Sequence, residues 1–234
     1  VSRHLGREME LLVFGHSGAR VVVFPTRCGR FFDYENFGIV EGLREHLERG
    51  WLQLFCVDSV DEEGLYAQGR SGAERLARHV AYERYLFEEV LPFTRRMNPT
   101  PLLIAHGCSL GAFHAVNLAV RHPTSFVKVV ALSGRYDLTV PIGDFPALLD
   151  ANEDPLLTLA HTPTEYVTAC DDRDLQALKR LQIVMVIGES DPFLPSNLAL
   201  AARLRSVGAE PELHVWSGRA HSPQRWREMV RLYL

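Results

Sequence analysis

Residues 102 to 122, LLIAHGCSLGAFHAVNLAVRH, change character in the middle. The run Leu102-Leu103-Ile104-Ala105 reads as a buried strand, and Phe113, Val116, Leu118 and Val120 then follow as a mostly apolar helix. Between them stands Gly107-Cys108-Ser109-Leu110-Gly111. Strand, sharp turn and helix in that order are what a nucleophile elbow demands. The serine sits at the tip in strained backbone geometry, and the residues two before and two after must be small because strand and helix nearly touch. The pentapeptide alone is a weak signal, and its flanks make it specific. The plain alternative is a Gly-flanked turn with an ordinary serine.

The rest of the chain alternates in the same way. REMELLVF (7–14) and RVVVFPT (20–26) are β-type runs joined by GHSGA, the short Gly-containing link of an antiparallel N-terminal hairpin. Phe37, Val40, Leu43 and Leu47 recur at helical spacing between Tyr34 and Arg49, and WLQLFCVD (51–58) is a strand apolar on both parities. A long helix is expected from Ala73 to Leu91, ended or kinked by Pro92. KVVALSG (128–134), QIVMVIGESD (182–191) and PELHVWS (211–217) supply further strands, with helices over 196–207 and at the C-terminal end. The stretch of about 135–180 is an insert rich in proline, expected to fold as small helices over the sheet edge. The reading is one α/β domain over 1–234, with a mostly parallel sheet and helices on both faces.

Bulk properties narrow the partners. A chain of 234 residues, 47% hydrophobic and 23% charged, is long enough to bury a sizeable core as one domain. Its net charge of -4 leaves no electrostatic footprint for nucleic acid. No apolar run approaches a membrane span, and VSRHLGREME lacks the basic-then-apolar order of a signal peptide, so no membrane association and a cytoplasmic location are expected. Cys28, Cys56, Cys108 and Cys170 have no metal-type pairing and read as free thiols. Cys170-Asp171-Asp172-Arg173-Asp174 reads as acidic residues opening a helix, so no metal is expected, and with no phosphate or dinucleotide fingerprint no cofactor is expected either. Oligomeric state is open.

A serine hydroxyl is a weak nucleophile and needs a base within reach and a third group that holds the base in the right tautomer. The expected chain order is serine, acid, histidine. His221 lies in the loop at a strand's carboxyl end, where active sites of open sheets gather, whereas His214 lies inside the strand. Asp191 follows IVMVIGES directly and precedes Pro192, with Glu189 and Asp137 as rivals. The oxyanion of a tetrahedral intermediate needs two amide donors. These are Leu110 and a residue of Thr26-Arg27-Cys28, with Arg27 preferred. His106 reads as pocket or structural histidine, and Cys108 as a rival nucleophile off the turn's centre. Candidate pocket walls are Arg27, Phe31, Phe32, Tyr34, Arg135, Tyr136 and the insert. Such walls suit a modest acyl group on an anionic or polar leaving group.

Beyond the elbow, Tyr82-Glu83-Arg84-Tyr85-Leu86 through Glu89-Val90-Leu91-Pro92, Ala131-Leu132-Ser133-Gly134 and Gly188-Glu189-Ser190-Asp191 resemble the α/β-hydrolase superfamily. The likeness is to its putative-esterase, esterase D-like branch, and spans nearly the whole chain. It departs where a His-Gly pair usually opens the oxyanion loop and this chain has Pro25-Thr26. The resemblance implies Ser109 as nucleophile, Asp191 as orienting acid and His221 as base. It also implies a cofactor-free serine esterase acting on a small-molecule ester. Transfer of the acyl group to an acceptor other than water, or a non-catalytic binding role, are the alternatives.

Overall fold

The computed structural model describes residues 1–150 and 152–234. Seven strands form one sheet in the order β1-β3-β2-β4-β5-β6-β7. They are β1 (Leu11–Phe14), β2 (Ala19–Phe24), β3 (Leu52–Val57), β4 (Leu103–Cys108), β5 (Lys128–Leu132), β6 (Gln182–Gly188) and β7 (Glu212–Trp216). β2 through β7 pair in parallel, and β1 alone runs antiparallel.

β1 and β2 do run in opposite directions, yet they are not neighbours: β1 pairs with β3, which lies between them. The four-residue link that looked like a hairpin turn instead crosses the start of β3. Ala19 N–H donates to Trp51 O (2.9 Å), and a Cβ on Gly18, whose φ is +88°, would lie 2.1 Å from that same oxygen. A link so short can skip a strand only by lying directly on its backbone, and glycine permits that.

The central strands are buried on both faces, which is why their sequences are apolar on both parities. Alternate residues go to opposite sides. Val22, Ala105, Val129, Ala131, Ile183 and Met185 face one core. That core is covered by α4 (Gly72–Tyr85), α6 (Leu110–Arg121) and α10 (Leu194–Ser206). Val21, Val23, Ile104, Val130, Val184 and Val186 face the other. There the cover is α1 (Asp33–Asn36), α2 (Ile39–Gly42), α3 (Arg44–Glu48) and α11 (Pro223–Tyr233). The single helix expected over 34–49 is thus three short ones.

The helix ahead of the elbow strand passes Pro92 rather than ending there. α4 opens on a capping box in which Ser71 and Glu74 satisfy each other's backbone N–H groups. It then widens into a π turn at Leu86–Val90 and continues as α5 (Leu91–Met97), with Pro92 in its first turn. Pro92 has no N–H to bond, and the π turn just ahead of it is where the regular α ladder is interrupted while the helix runs on. Between β5 and β6 the chain adds α7 (Pro155–Ala160), α8 (Pro163–Tyr166) and α9 (Asp172–Leu178). Asp171 caps α9 by accepting the Asp174 N–H at 2.8 Å, so the acidic run there serves a helix start. Leu138, Leu148 and Leu149 pack with Leu65, Leu76, Leu110 and Phe113 as a third cluster, holding this insert against the start of α6. Among the described residues, no helix is long and apolar enough to cross a membrane.

Several histidines are buried in their neutral form. His106 is fully buried, its Nδ1–H donating to Val130 O (2.7 Å) while Nε2 accepts from the Tyr34 hydroxyl (2.7 Å). Burial pushes its pKa down to about 4 and does the same to His161. His79, buried beside His161 and His114, is held well below the usual histidine range. In the unfolded chain these groups take up protons near pH 6.5, and in the folded chain only far lower. The stability they support is therefore complete above about pH 6.5 and is lost as pH falls toward 4. The slope is roughly 1.4 kcal/mol per pH unit for each histidine within that window. Thermal melts between pH 7.5 and 4 are expected to show a continuous decline in Tm. A flat Tm down to pH 4.5 would contradict neutral burial.

Candidate active site

Ser109, Asp191 and His221 lie on loops at the carboxyl edge of the parallel strands, where an open α/β sheet leaves its crevice. Ser109 follows β4 immediately and has φ 57°, ψ -121°, a strained conformation for a residue with a side chain. Its N–H donates to Leu132 O on β5 (2.8 Å), tying the turn to the neighbouring strand. The closeness the glycines permit is real. A Cβ on Gly107 would lie 2.3 Å from the carbonyl of Gly111, and one on Gly111 would lie 2.4 Å from Phe24 O. Cys28, Ser133 and Ala220 are the other described non-glycine residues at positive φ, and all three also sit in loops beside the site. Backbone strain is concentrated where the site is built.

Asp191, in the turn after β6, is 3% exposed. Its Oδ1 accepts the Phe193 N–H at 3.0 Å and its Oδ2 accepts from His221 Nδ1–H at 2.8 Å. With Nδ1 as donor, His221 Nε2 is free to accept, and the Ser109 hydroxyl donates to it at 3.1 Å. The imidazole is wedged by Trp226 and Phe193, with ring centroids at 5.3 and 5.8 Å, and Trp226 Nε1–H donates to Ser133 Oγ. The rivals are engaged elsewhere. Glu189 accepts the Gly218 N–H, Asp137 accepts from both Thr139 N–H and hydroxyl, and His214 lies against Tyr233. Cys108 is fully buried against the Tyr34 hydroxyl, and burial pushes its thiol up to about 12, so it stays protonated and poorly nucleophilic.

Leu110 is the first residue of α6, where an N–H has no intrahelical acceptor. Among the described residues, neither its N–H nor that of Arg27 meets a partner, whereas the Cys28 N–H donates to Asp61 Oδ2 at 3.3 Å. Of the loop amides weighed as the second donor, Cys28 is thus committed elsewhere. Leu110, Arg27 and Thr26 line a cavity of about 310 Å³ with Ser109 and His221. Its remaining walls are Tyr66, Arg135, Phe145, Phe193 and Arg219.

Of the expected pocket walls, Arg27 and Arg135 line this cavity and Phe31, Phe32 and Tyr136 do not. Phe31 and Phe32 pack edge-to-face on each other beneath Arg30. Tyr136 is fully buried with its ring against Gly134, and Tyr34 and His106 are core residues. Phe193 and Arg219 were missed, although each stands two residues from Asp191 or His221 in sequence and so must share their loops. Tyr66 carries no sequence signal, because only the folding of the 59–72 loop brings it in.

This strand order, elbow and crevice define an α/β-hydrolase fold. Solved structures agree. The chain superposes on an S-formylglutathione hydrolase of Agrobacterium tumefaciens with a TM-score of 0.74 at 16% identity, covering 98% of this chain and 90% of that one. It superposes on FphF, a fluorophosphonate-binding serine hydrolase of Staphylococcus aureus, at 0.69 and 16%, covering 92% and 81%. For a ferulic acid esterase the values are 0.68 and 16%, covering 92% and 82%. No curated protein matches the sequence. The family described as "Putative esterase" matches residues 34–227. The chain belongs to that family and is a hydrolase acting on ester bonds.

Proposed function

We propose that the chain is a serine carboxylesterase in which Ser109 is the nucleophile, His221 the general base and acid, and Asp191 the group that orients His221. The observation that carries this reading is the unbroken line from Asp191 Oδ2 through His221 to Ser109 Oγ, at 2.8 and 3.1 Å. Ser109 Oγ attacks the ester carbonyl as its proton passes to His221 Nε2. The oxyanion is met by the N–H groups of Leu110 and Arg27. His221 returns the proton to the departing alkoxide, leaving the acyl group on Ser109. Water, deprotonated by the same Nε2, then attacks the acyl carbon, and collapse of the second tetrahedral intermediate restores the serine hydroxyl. Asp191 keeps Nδ1 protonated throughout and balances the imidazolium charge. No cofactor is needed for any of these steps.

A non-catalytic role would be favoured by a Ser109 hydroxyl out of reach of His221, and 3.1 Å is within hydrogen-bond reach. A fluorophosphonate probe is expected to add once, at Ser109, by intact mass and peptide mapping, with parallel loss of p-nitrophenyl ester hydrolysis. A folded protein that resists the probe would remove the catalytic reading. A burst followed by slow turnover that an added alcohol or thiol relieves would redirect it to acyl transfer.

A further inference from the structure

The cavity wall carries a charge pattern that ester hydrolysis itself does not require. Arg27, Arg135 and Arg219 all line it, and no aspartate or glutamate does. Among the described residues none of the three makes an ion pair, whereas arginines such as Arg30, Arg44, Arg78 and Arg121 pair with carboxylates. Arg27 and Arg219 are exposed, and Arg27 lies over the Tyr66 ring, 5.7 Å from its centroid. Asp191 has both oxygens engaged by Phe193 N–H and His221, and Asp137, the carboxylate that acts on Arg135 from two residues away, has its Oδ1 occupied by the Thr139 N–H and hydroxyl.

Arg135 is the decisive residue because it is 5% exposed. A guanidinium so placed is normally met by a carboxylate. Here its Nε–H donates to Asp137 O (3.1 Å) and its Nη2 to Val140 O (2.7 Å) and Pro146 O (3.0 Å), all neutral carbonyls. Those bonds fix the plane of the group; among the described residues Nη1 has no partner, and no carboxylate stands in ion-pair contact, Asp137 acting only from a distance. Burial lowers its pKa, yet an arginine stays protonated at any working pH. A fixed, unpaired guanidinium beside a nucleophile is a pre-organised receptor for an oxyanion, with the planar fork that a carboxylate or phosphate matches.

We propose that the cavity binds its ester as an anion, with Arg135 holding a carboxylate or phosphate group of the substrate and Arg27 and Arg219 adding positive potential at the rim. This rests on the reading of Ser109 as nucleophile. It goes beyond that reading by assigning the substrate's charge, and it brings in Arg219, which faces the site from the loop of His221.

The test compares p-nitrophenyl hydrogen glutarate with p-nitrophenyl pentanoate, which share a leaving group and acyl chain length and differ in a terminal carboxylate. The anionic ester is expected to have the higher kcat/KM by about 10- to 100-fold, the range of a charge-assisted hydrogen bond. Arg135→Met and, at the exposed rim, Arg219→Gln are each expected to pull that ratio toward one, Arg135→Met the more strongly. A variant that merely folds poorly lowers both rates together and leaves the ratio where it was, so an unchanged ratio in both variants overturns the assignment. Glutarate and inorganic phosphate, as competitive inhibitors of pentanoate turnover, separate the two oxyanions by which binds tighter. Equal or better turnover of the neutral ester by the wild type overturns the anion site and leaves the esterase reading intact. If neither ester is cleaved and Ser109 resists the fluorophosphonate, both fall together.

Discussion

Ser109→Ala lowers kcat for an activated ester by about 10⁶ while the protein folds and melts as before. The side chain removed is one hydroxyl in a partly exposed position, so stability has little to lose, but no other group at the site can take the acyl chain. His221→Ala is expected to cost about as much, and the double variant no more than either, because nucleophile and base act as one unit. Asp191→Asn is expected to cost roughly 10⁴. An asparagine whose amide nitrogen faces His221 offers a donor where an acceptor is needed, so the imidazole turns over to the wrong tautomer. Steady-state kinetics on p-nitrophenyl esters, with a melt of each variant, read both quantities. Activity within tenfold of wild type in Ser109→Ala would refute the nucleophile assignment.

Gly111→Ala is expected to damage both stability and activity. The added Cβ lies 2.4 Å from Phe24 O and 2.6 Å from Pro25 O, and both are backbone. Neither yields easily, since Phe24 is paired in register with Gly107 of β4 and Pro25 leads into the loop that carries Arg27. Either α6 or the β2 end must move, at a cost of about 3–4 kcal/mol, the upper range of overpacking. For a chain of this length that is a Tm lower by roughly 6–16 °C. Activity falls too, because the shift separates the Leu110 and Arg27 amides. Gly143→Ala is the control: its φ is +54°, nothing lies within 4 Å of the new Cβ, and the expected cost is about 1 kcal/mol. Thermal unfolding of the two variants side by side decides the matter, and equal small losses would mean that strand and helix are not in contact at the elbow.

What could be read from the sequence is what depends on local chemistry. The elbow announces itself because strand, turn and helix are contiguous, and the strands are legible because burial on both faces leaves unbroken apolar runs such as VVVF and IVMVI. Asp191 and His221 could be singled out because each lies in the loop at a strand's carboxyl end, and the structure aligns Asp191, His221 and Ser109. The partner of β1 could not be read, since nothing in GHSG distinguishes a turn from a crossing over β3. Pro92 suggested a helix end or a kink because the π turn ahead of it leaves no mark in the sequence. The cavity wall was read unevenly. Phe31 and Phe32 resemble pocket residues in composition yet satisfy each other; Phe145 could be expected only as part of the insert, and Tyr66 arrives from the 59–72 loop by tertiary packing alone.

The insert has a consequence for how such a chain can change. Arg135 is its first residue, and all three carbonyls that hold the guanidinium belong to its next eleven residues. The segment therefore braces its own arginine, while Leu138, Leu148 and Leu149 seat it on the start of α6 and Val167 and Leu178 join the main core. Ser109, Asp191 and His221 hang from strand ends that it does not build. The buried guanidinium and the proposed triad reside in separable stretches, so exchanging this loop would change the charge the cavity wall offers while leaving the Ser109–His221–Asp191 line in place.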